Sequence, residues 1–344
     1  MKAVRLWGRR DLRVAEEDLP RPAAGEELVR VTAVGICGSD IHWFDEGGIG
    51  GTTVTRPLVP GHEFAGVTSQ GQRVAVDPAI ACGECELCGR GHPNLCERVI
   101  FAGHDVDGAL REWMTWPRAN LHPLPDSFSD ADGAMLEPLG VALHACRLAH
   151  IAAGDTVGIF GCGPIGWLAI QVATLLGAAR VIVTELPRRQ ARLAAAAAKG
   201  AAVVPADGDE ASMIRQCSGG RGLDVAIEAA GDNAAVDAAV EAVRPGARIV
   251  LAGIPSEPRT SVSASSARRK GLTLAWARRM KDTYPEAIDL VARGLVDVRS
   301  GVTHTFPLAE AAQAFEAAAR RDGMKVMVTS LASASALTSS RSCT

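Results

Sequence analysis

A glycine-rich turn between an apolar strand and an apolar helix constrains the fold of this chain more than any other feature. The turn is Gly161-Cys162-Gly163-Pro164-Ile165-Gly166, between a predicted strand over Asp155–Phe160 and a predicted helix over Trp167–Leu176. The N–H groups at the start of such a helix favour an anion. Glu185 ends the next predicted strand 19 residues after Gly166, where a carboxylate can bind ribose hydroxyls. A glycine triplet alone is weak, but this context predicts a dinucleotide-binding unit.

Strands and helices continue to alternate after this turn. The strands predicted next are Arg180–Glu185, Asp224–Glu228 and Arg248–Leu251, and the helix predicted over Arg188–Lys199 ends at Gly200. Such alternation is typical of a parallel, doubly wound sheet of the α/β class.

The amino-terminal part has a different pattern. Short strands such as Glu27–Val34 and Gln72–Val76 show partial two-residue alternation and are separated by turn-forming residues. This pattern predicts a smaller, β-rich, barrel-like unit. Near the carboxyl end, the pattern is helix, short strand, helix and strand, and the last strand is expected at Val326–Val328.

Length and charge exclude several classes of function. The chain has 344 residues, of which 47% are apolar and 22% charged, as expected for two globular domains. A formal net charge of -3 gives no electrostatic reason to expect nucleic acid or an anionic membrane as a partner. No apolar run is long enough to span a bilayer, and the amino terminus does not resemble a secretory signal. The expected location is therefore the cytoplasm.

Four cysteines within fifteen residues form the most specific local pattern, Cys82-x2-Cys85-x2-Cys88-x7-Cys96. In a reducing compartment, such cysteines are better explained as metal ligands than as disulfides. Four thiolates complete a tetrahedral site with no vacant position, which predicts a structural zinc ion. An iron–sulfur cluster is the alternative metal centre, and free thiols in a mobile loop are the alternative without metal.

Three further segments carry metal-ligating side chains, namely Cys37, His62 with Glu63, and Glu137. A thiolate, an imidazole and a carboxylate suit zinc and leave one position for water or substrate. Asp40 can accept a hydrogen bond from the far ring nitrogen of His62 and orient the ring. Each residue alone is more commonly a packing residue. The prediction therefore depends on their occurrence together with the cysteine loop and the glycine turn.

Taken together, these residues resemble the zinc-containing medium-chain dehydrogenase/reductase family. The resemblance runs from Met1 to about Thr329, with the motifs in family order. Within the family, the segments 37–42, 48–50 and 60–63 look most like those of sorbitol or polyol dehydrogenases, and threonine dehydrogenases are the next most similar. Members that act on simple primary alcohols typically have a cysteine where Glu137 stands, which argues against an ethanol-type enzyme.

The resemblance implies a GroES-like, β-rich catalytic domain and a Rossmann domain with the active site in the cleft between them. The expected bounds are 1–145 for the catalytic domain with its structural zinc loop and 146–280 for the nicotinamide-binding Rossmann domain. Residues 281–330 are expected to return to the catalytic domain. The tail over 331–344, which is mostly Ser, Ala and Thr, is expected to be disordered.

The resemblance also implies residue roles around a second, catalytic zinc ion. Cys37 and His62 are its expected direct ligands, and Glu63 and Glu137 bind it directly or through water. Zinc acts as a Lewis acid on the substrate hydroxyl, and a hydride passes to the nicotinamide. The released proton is expected to leave through Ser39 beside the metal and His42 nearer solvent. A plain structural role is the alternative for His42.

The fingerprint and the resemblance together give the expected cofactor-binding residues, which are Gly161, Gly163, Pro164, Ile165, Gly166, Glu185, Gly253, Ile254 and Arg278. The alternative for Arg278 is one charge on a solvated face. Glu185 favours NAD because its carboxylate repels a 2′-phosphate, whereas Arg188 and Arg189 are the usual kind of partner for that phosphate. Because those arginines can turn into solvent, NAD is the expected cofactor and NADP the alternative.

The predicted function is zinc-dependent oxidation of a secondary alcohol of a polyol, sugar alcohol or cyclitol to the ketone. L-Threonine or another amino alcohol is the alternative substrate class. A non-catalytic zinc- and nucleotide-binding protein is the alternative of another class. The expected partner is a small hydroxylated molecule, and the expected assembly is a homodimer or homotetramer.

Overall fold

The structure, a computed structural model, describes residues 1–49, 51–321 and 323–330. Gly50 and the predicted disordered tail lie outside the described residues. The strands, in chain order, are β1 (Lys2–Gly8), β2 (Asp11–Glu16), β3 (Glu26–Gly35), β4 (Gly48–Ile49), β5 (Thr52–Thr53), β6 (Glu63–Thr68), β7 (Arg73–Val76), β8 (Ala79–Ile80), β9 (Ile100–Phe101), β10 (Trp113–Pro117), β11 (Leu121–Pro123), β12 (Thr156–Phe160), β13 (Arg180–Glu185), β14 (Ala202–Pro205), β15 (Leu223–Glu228), β16 (Val243–Leu251), β17 (Thr273–Trp276), β18 (Val302–Pro307) and β19 (Lys325–Thr329).

The α-helices are α1 (Gly38–Glu46), α2 (Glu86–Gly89), α3 (Asp130–Ala134), α4 (Leu136–Ala149), α5 (Pro164–Leu175), α6 (Gln190–Ala198), α7 (Glu210–Cys217), α8 (Asn233–Ala242), α9 (Ala264–Lys270), α10 (Tyr284–Ala292) and α11 (Ala311–Arg320). Among the described residues, no helix is long and apolar enough to cross a membrane.

The carboxyl-side sheet has six parallel strands in the order β14-β13-β12-β15-β16-β17. Its central strand β15 is buried along its whole length, because helices cover both faces of the sheet. The order reverses beside β12, the strand that leads into the glycine turn. Ligands of such sheets bind at the carboxyl ends of the strands beside this reversal. The predicted doubly wound parallel sheet is confirmed.

The second sheet has seven strands and is called the mixed sheet because it contains parallel and antiparallel pairs. Its order is β11-β7-β6-β3-β19-β18, and β10 also pairs with β3. Its amino-terminal strands are antiparallel neighbours. The two strands from the carboxyl end of the chain join its edge, and β19 pairs with β3 from Met327 opposite Gly35 to Thr329 opposite Ala33. Residues near 325 are therefore brought beside residues near 35.

Helix α4 connects the two sheets. It contacts β6 in one sheet and β15 and β16 in the other. Its apolar side chains belong to a buried cluster that includes Ala33 and Ala65 from the mixed sheet and Val157 and Trp167 from the other unit. The first turn of α4 carries Glu137, which is consequently buried where the two sheets approach each other.

The predicted helix bounds differ from the structure mainly at helix ends. The helix after the glycine turn starts at Pro164 rather than Trp167, because proline suits the first helical position, where no N–H partner is required. The next helix, α6, is shorter than predicted and starts at Gln190, since Arg189 has non-helical dihedral angles.

Candidate active site and metal centres

The four predicted cysteines form one compact group. The sulfur atoms of Cys82, Cys85, Cys88 and Cys96 all lie within 4.8 Å of one another. The distances from Cys82 to Cys96 and to Cys88 are 3.5 and 3.9 Å, and Cys85 lies 3.9 Å from Cys96. Four sulfurs bound at about 2.3 Å around a tetrahedral zinc ion are roughly 3.8 Å apart. These distances fit that donor set.

Polar groups around the loop stabilise the thiolate form of Cys82. Backbone N–H groups, chiefly that of Glu84, lower the pKa of Cys82 to about 6. The guanidinium of Arg98 also lies 3.3 Å from the Cys82 sulfur. A thiolate is the form that binds a metal ion, so this environment favours ligation by Cys82, whereas burial and the neighbouring Cys85 raise the pKa of Cys88 to about 12.

A second group has three different donors. Ligand atoms of Cys37, His62 and Glu63 lie within 4.8 Å of one another, and His62 and Glu63 are buried. Cys37 immediately precedes α1, and Glu63 is the first residue of β6. The chain reaches this point through Gly61, whose φ of 95° is left-handed, and an added Cβ there would lie 2.8 Å from Val34.

Asp40 fixes the geometry of this group. Its carboxylate accepts hydrogen bonds from the Cys37 N–H at 2.9 Å and the Gly61 N–H at 3.2 Å, and one oxygen lies 3.6 Å from His62 Nδ1. Burial alone raises the pKa of Asp40, but the facing His62 and these N–H donors lower it by more. Burial lowers the pKa of His62, whereas Asp40 and Cys37 raise it well above its ordinary value. A metal ion competes with that proton.

Lys325 is a buried residue of this region that the sequence interpretation missed. Its ammonium group lies 2.7 and 2.5 Å from the two carboxylate oxygens of Glu63 and donates to the Ile36 carbonyl at 3.2 Å. The signal available in the sequence was a lysine within the otherwise apolar run Met324–Val328. In this structure Glu63 is therefore engaged by an ion pair.

Glu137 lies outside the three-donor group. It is buried, and burial raises its pKa to about 7, while the charge of His62 lowers the pKa and that of Glu63 raises it. These electrostatic effects place it near the same site. The structure thus brings Cys37, His62 and Glu63 together and leaves Glu137 beside them.

The residues predicted to carry the proton lie on α1. Ser39 is half-buried, and His42 is buried rather than nearer solvent. His42 Nδ1 lies 2.8 Å from a carboxylate oxygen of Glu46, one turn further along. Glu46 is exposed. The sequence interpretation did not include Glu46.

The glycine turn has the close approaches that the fingerprint requires. Gly161 has a φ of 100°, and an added Cβ would lie 2.8 Å from the Ala230 nitrogen. A Cβ at Gly166 would collide with the Gly161 carbonyl oxygen. Gly163 precedes the first turn of α5, where Pro164 and Ile165 lie. The turn thus leaves the helix amino terminus open to an anion.

Glu185 lies beneath this turn with both carboxylate oxygens engaged. One accepts hydrogen bonds from the Leu186 N–H at 2.8 Å and from Arg189 at 3.3 Å. The other accepts from the Cys162 N–H at 3.2 Å and lies 3.7 Å from Arg192. The expectation that Arg189 turns into solvent is wrong, because the ion pair holds it, whereas Arg188 is exposed.

The remaining predicted cofactor residues, Gly253, Ile254 and Arg278, follow the carboxyl ends of the paired strands β16 and β17. Gly253 packs against the Gly231 backbone with no space for a Cβ, and Ile254 beside it is exposed. Arg278 is exposed, whereas the side chain of the next residue, Arg279, is directed toward Cys37, His62 and Glu63. The Arg279 guanidinium lies 3.9 Å from the centre of the Phe101 ring, and Phe101 lies 5.1 Å from the His62 ring. The arginine that the fold turns inward is therefore Arg279, one residue after the predicted Arg278.

Comparison with known proteins agrees with this arrangement. The family model described as alcohol dehydrogenase GroES-like domain matches residues 23–126, and the model described as zinc-binding dehydrogenase matches residues 164–293. The chain is 34% identical to sorbitol dehydrogenase from Bacillus subtilis, covering 95% of this chain and 97% of that protein. It is 36% identical to human sorbitol dehydrogenase, with 94% of each chain covered.

Among solved structures, an alcohol dehydrogenase from Thermus sp. ATN1 superposes with a TM-score of 0.89 at 31% identity, covering 96% of this chain and 99% of that one. The predicted combination of a GroES-like unit and a Rossmann unit is thereby confirmed. The chain belongs to the zinc-binding medium-chain dehydrogenase/reductase family and is a zinc-dependent dehydrogenase that uses a nicotinamide cofactor.

Proposed function

We propose that this enzyme oxidises a secondary hydroxyl group of a polyol, sugar alcohol or cyclitol to the ketone, with NAD as the hydride acceptor. The observation that carries the proposal is the three-donor group of Cys37, His62 and Glu63, formed in a chain similar to two sorbitol dehydrogenases. A glutamate rather than a cysteine at position 137 supports the same substrate class.

The donors fit two zinc ions of different kinds. Four thiolates at mutual distances near those of a tetrahedral sulfur site suit a closed, structural ion. One thiolate, one imidazole and one carboxylate suit an ion with a position left for an alcohol oxygen. We assign Cys37 and His62 as direct ligands, with Glu63 and Glu137 as direct or water-mediated partners.

When bound, zinc supplies Lewis acidity at the alcohol oxygen, and the nicotinamide accepts the hydride. The chain's own residues orient the ligands and move the proton. Asp40 holds the Cys37 and Gly61 backbones together and faces His62. Ser39 and His42 take the proton from the substrate hydroxyl toward Glu46, whose carboxylate bonds His42 Nδ1 at 2.8 Å and is open to solvent.

The glycine turn and the adjacent acidic residue support the cofactor assignment. The N–H groups at the start of α5 suit the pyrophosphate, and Glu185 suits the adenosine ribose hydroxyls. Gly253 and Ile254, which follow the carboxyl end of strand β16 on the other side of β12, suit the nicotinamide half. The Glu185 carboxylate is buried, and its negative charge opposes a 2′-phosphate.

We also propose that the two functional units are 1–145 with 281–330 and 146–280, and that the enzyme is a homodimer or homotetramer. Strand β17 lies at the edge of the parallel sheet and ends in the exposed Trp276. An edge strand with an exposed tryptophan is a surface that a second copy can cover.

The test is a turnover screen of the purified enzyme with NAD and NADP against polyols, cyclitols, amino alcohols and primary alcohols. The expected result is the highest kcat/KM with NAD and a polyol or cyclitol. Elemental analysis should give two zinc ions per chain and about one in Cys37→Ser, which should be inactive but folded. Iron in the untreated protein, or preferred turnover of an amino alcohol, would contradict the assignment.

A further inference from the structure

The four-cysteine loop has a direct contact with a segment beside the active site. Asn94 lies in the short 3-10 turn Pro93–Leu95. This turn immediately precedes Cys96, the last of the four cysteines. Its side chain is buried, and its Nδ2 donates a hydrogen bond to the backbone carbonyl of Arg278 at 3.1 Å. The loop therefore holds the backbone of residue 278, although 184 residues separate the two in sequence.

The segment that Asn94 contacts, residues 277–283, has a strained backbone. Arg279 and Asp282 have φ values of 55° and 49°, in the left-handed region that side chains other than glycine rarely adopt. Such conformations persist only where surrounding contacts hold them. Two hydrogen bonds hold the backbone of this segment. The Ala277 N–H donates to the Leu251 carbonyl at 2.9 Å, and the Arg147 side chain donates to the Lys281 carbonyl at 3.3 Å.

Between these two hydrogen bonds, the strained turn directs the Arg279 side chain toward Cys37, His62 and Glu63. Its guanidinium lies on Phe101, which in turn packs against His62. Among the described residues, the buried Nη1 of Arg279 has no hydrogen-bond partner. Burial and the neighbouring Arg278 lower the pKa of Arg279 to about 10, so the group is still a cation at neutral pH. A buried cation with a free N–H is a site for an oxygen atom of a ligand.

We propose that Asn94 is a positioning residue through which the four-cysteine loop holds Arg279 in place to donate a hydrogen bond to an oxygen of the bound alcohol. The inference rests on the proposed function for the identity of that alcohol. It gives the four-cysteine loop a role in substrate binding in addition to its role in stability, because the ordered turn before Cys96 fixes Asn94.

The experiment compares Asn94→Ala, Arg279→Ala and the double variant with the wild-type enzyme. Leu95→Ala is the matched control, since Leu95 lies in the same turn and its side chain is exposed. Steady-state kinetics give KM for the alcohol, fluorescence titration gives Kd for NAD, and elemental analysis gives zinc content. Hydrogen–deuterium exchange follows the amides of residues 278–283, which requires no turnover.

Asn94→Ala should raise KM for the alcohol roughly 10-fold, with a smaller change in kcat, because one charge-assisted hydrogen bond to substrate is lost. Kd for NAD and zinc content should stay unchanged, and amides of residues 278–283 should exchange faster. In the Arg279→Ala background, Asn94→Ala should have no further effect on KM, since the two residues act in series.

An unchanged exchange rate at residues 278–283, or additive effects of the two substitutions on KM, would overturn the proposal. Loss of zinc in Asn94→Ala would also overturn it, by making Asn94 a stabiliser of the metal loop only. Failure of the proposed function is recognised separately, as absence of polyol turnover by the wild-type enzyme. In that case, faster exchange in Asn94→Ala with wild-type exchange in Leu95→Ala still supports the coupling, and equal exchange in both contradicts it.

Discussion

Lys325 and Glu63 form a buried ion pair across 262 residues of sequence, with the ammonium nitrogen 2.7 and 2.5 Å from the two carboxylate oxygens. The pair joins the last strand of the mixed sheet to the start of β6, directly beside Cys37 and His62. Burial lowers the pKa of Lys325, but Glu63 and Cys37 raise it by more, so the ammonium group stays charged. The pair holds Glu63 at a fixed position near the metal donors.

Replacing Lys325 by methionine should destabilise the zinc-free fold by about 3–5 kcal/mol, because the Glu63 carboxylate is then left buried without a counter-charge. Denaturant unfolding of wild type and variant measures this difference. The double variant Lys325→Met/Glu63→Gln should recover most of the loss, since neither charge is then buried. A loss below about 1 kcal/mol in the single variant would mean that another group compensates the carboxylate.

His42→Ala should slow alcohol oxidation by roughly 10- to 1,000-fold, mainly at low pH, because the proton then has no positioned carrier. Zinc content should not change. Glu46→Gln keeps the shape of the neighbouring side chain and removes its charge, so it should shift the pH–rate profile by a smaller amount. A pH–rate profile of His42→Ala equal to that of the wild type would make His42 a packing residue.

Glu185→Ala should narrow or reverse the preference for NAD over NADP. The substitution removes the charge that opposes a 2′-phosphate and leaves Arg189 and Arg192 without their carboxylate partner. Arg189→Ala is the matched opposite change and should widen the preference for NAD. Titrations with 5′-AMP and 2′,5′-ADP, together with kcat/KM for both cofactors, measure the effect. Higher kcat/KM with NADP in the wild-type enzyme would refute the assignment of NAD.

Asp77 makes the stability of the fold decrease as pH rises, whereas a salt-bridged carboxylate makes it increase. Burial raises its pKa to about 6, whereas an unfolded chain has about 3.9. Below pH 4 the carboxyl group is neutral in both states. Between pH 4 and 6 the unfolded chain loses its proton first, so the folded state loses up to about 3 kcal/mol of stability as pH rises.

Asp77→Asn should therefore gain stability relative to wild type between pH 4 and 6, since the amide oxygen can still accept the bond from the Ala79 N–H. Unfolding free energies over this pH range give the difference. Asp289→Asn, the same change at an exposed position, is the control. A difference between Asp77→Asn and wild type that does not vary with pH would show that Asp77 is already charged when buried.

Several parts of the fold and of the candidate site follow from sequence because they depend on neighbouring residues. The glycine turn and its two flanking elements lie within the 155–176 stretch, where spacing and side-chain volume decide the backbone path. The four cysteines form one group because fifteen residues with glycine-containing turns bring them together. Strand β13 follows from the apolar run Val181–Val183 at its centre, as expected for a strand buried on both faces. Local sequence determined these features.

Other features depend on contacts between distant segments and were decided by tertiary structure. Lys325 meets Glu63 only because β19 pairs with β3, and Asn94 meets Arg278 only because the cysteine loop lies against residues 277–283. The sequence interpretation chose Arg278, whereas two left-handed residues in that segment turn Arg279 inward. The left-handed backbone at Arg279 sets the direction of its side chain. That direction is set by packing against remote residues, which no local pattern records.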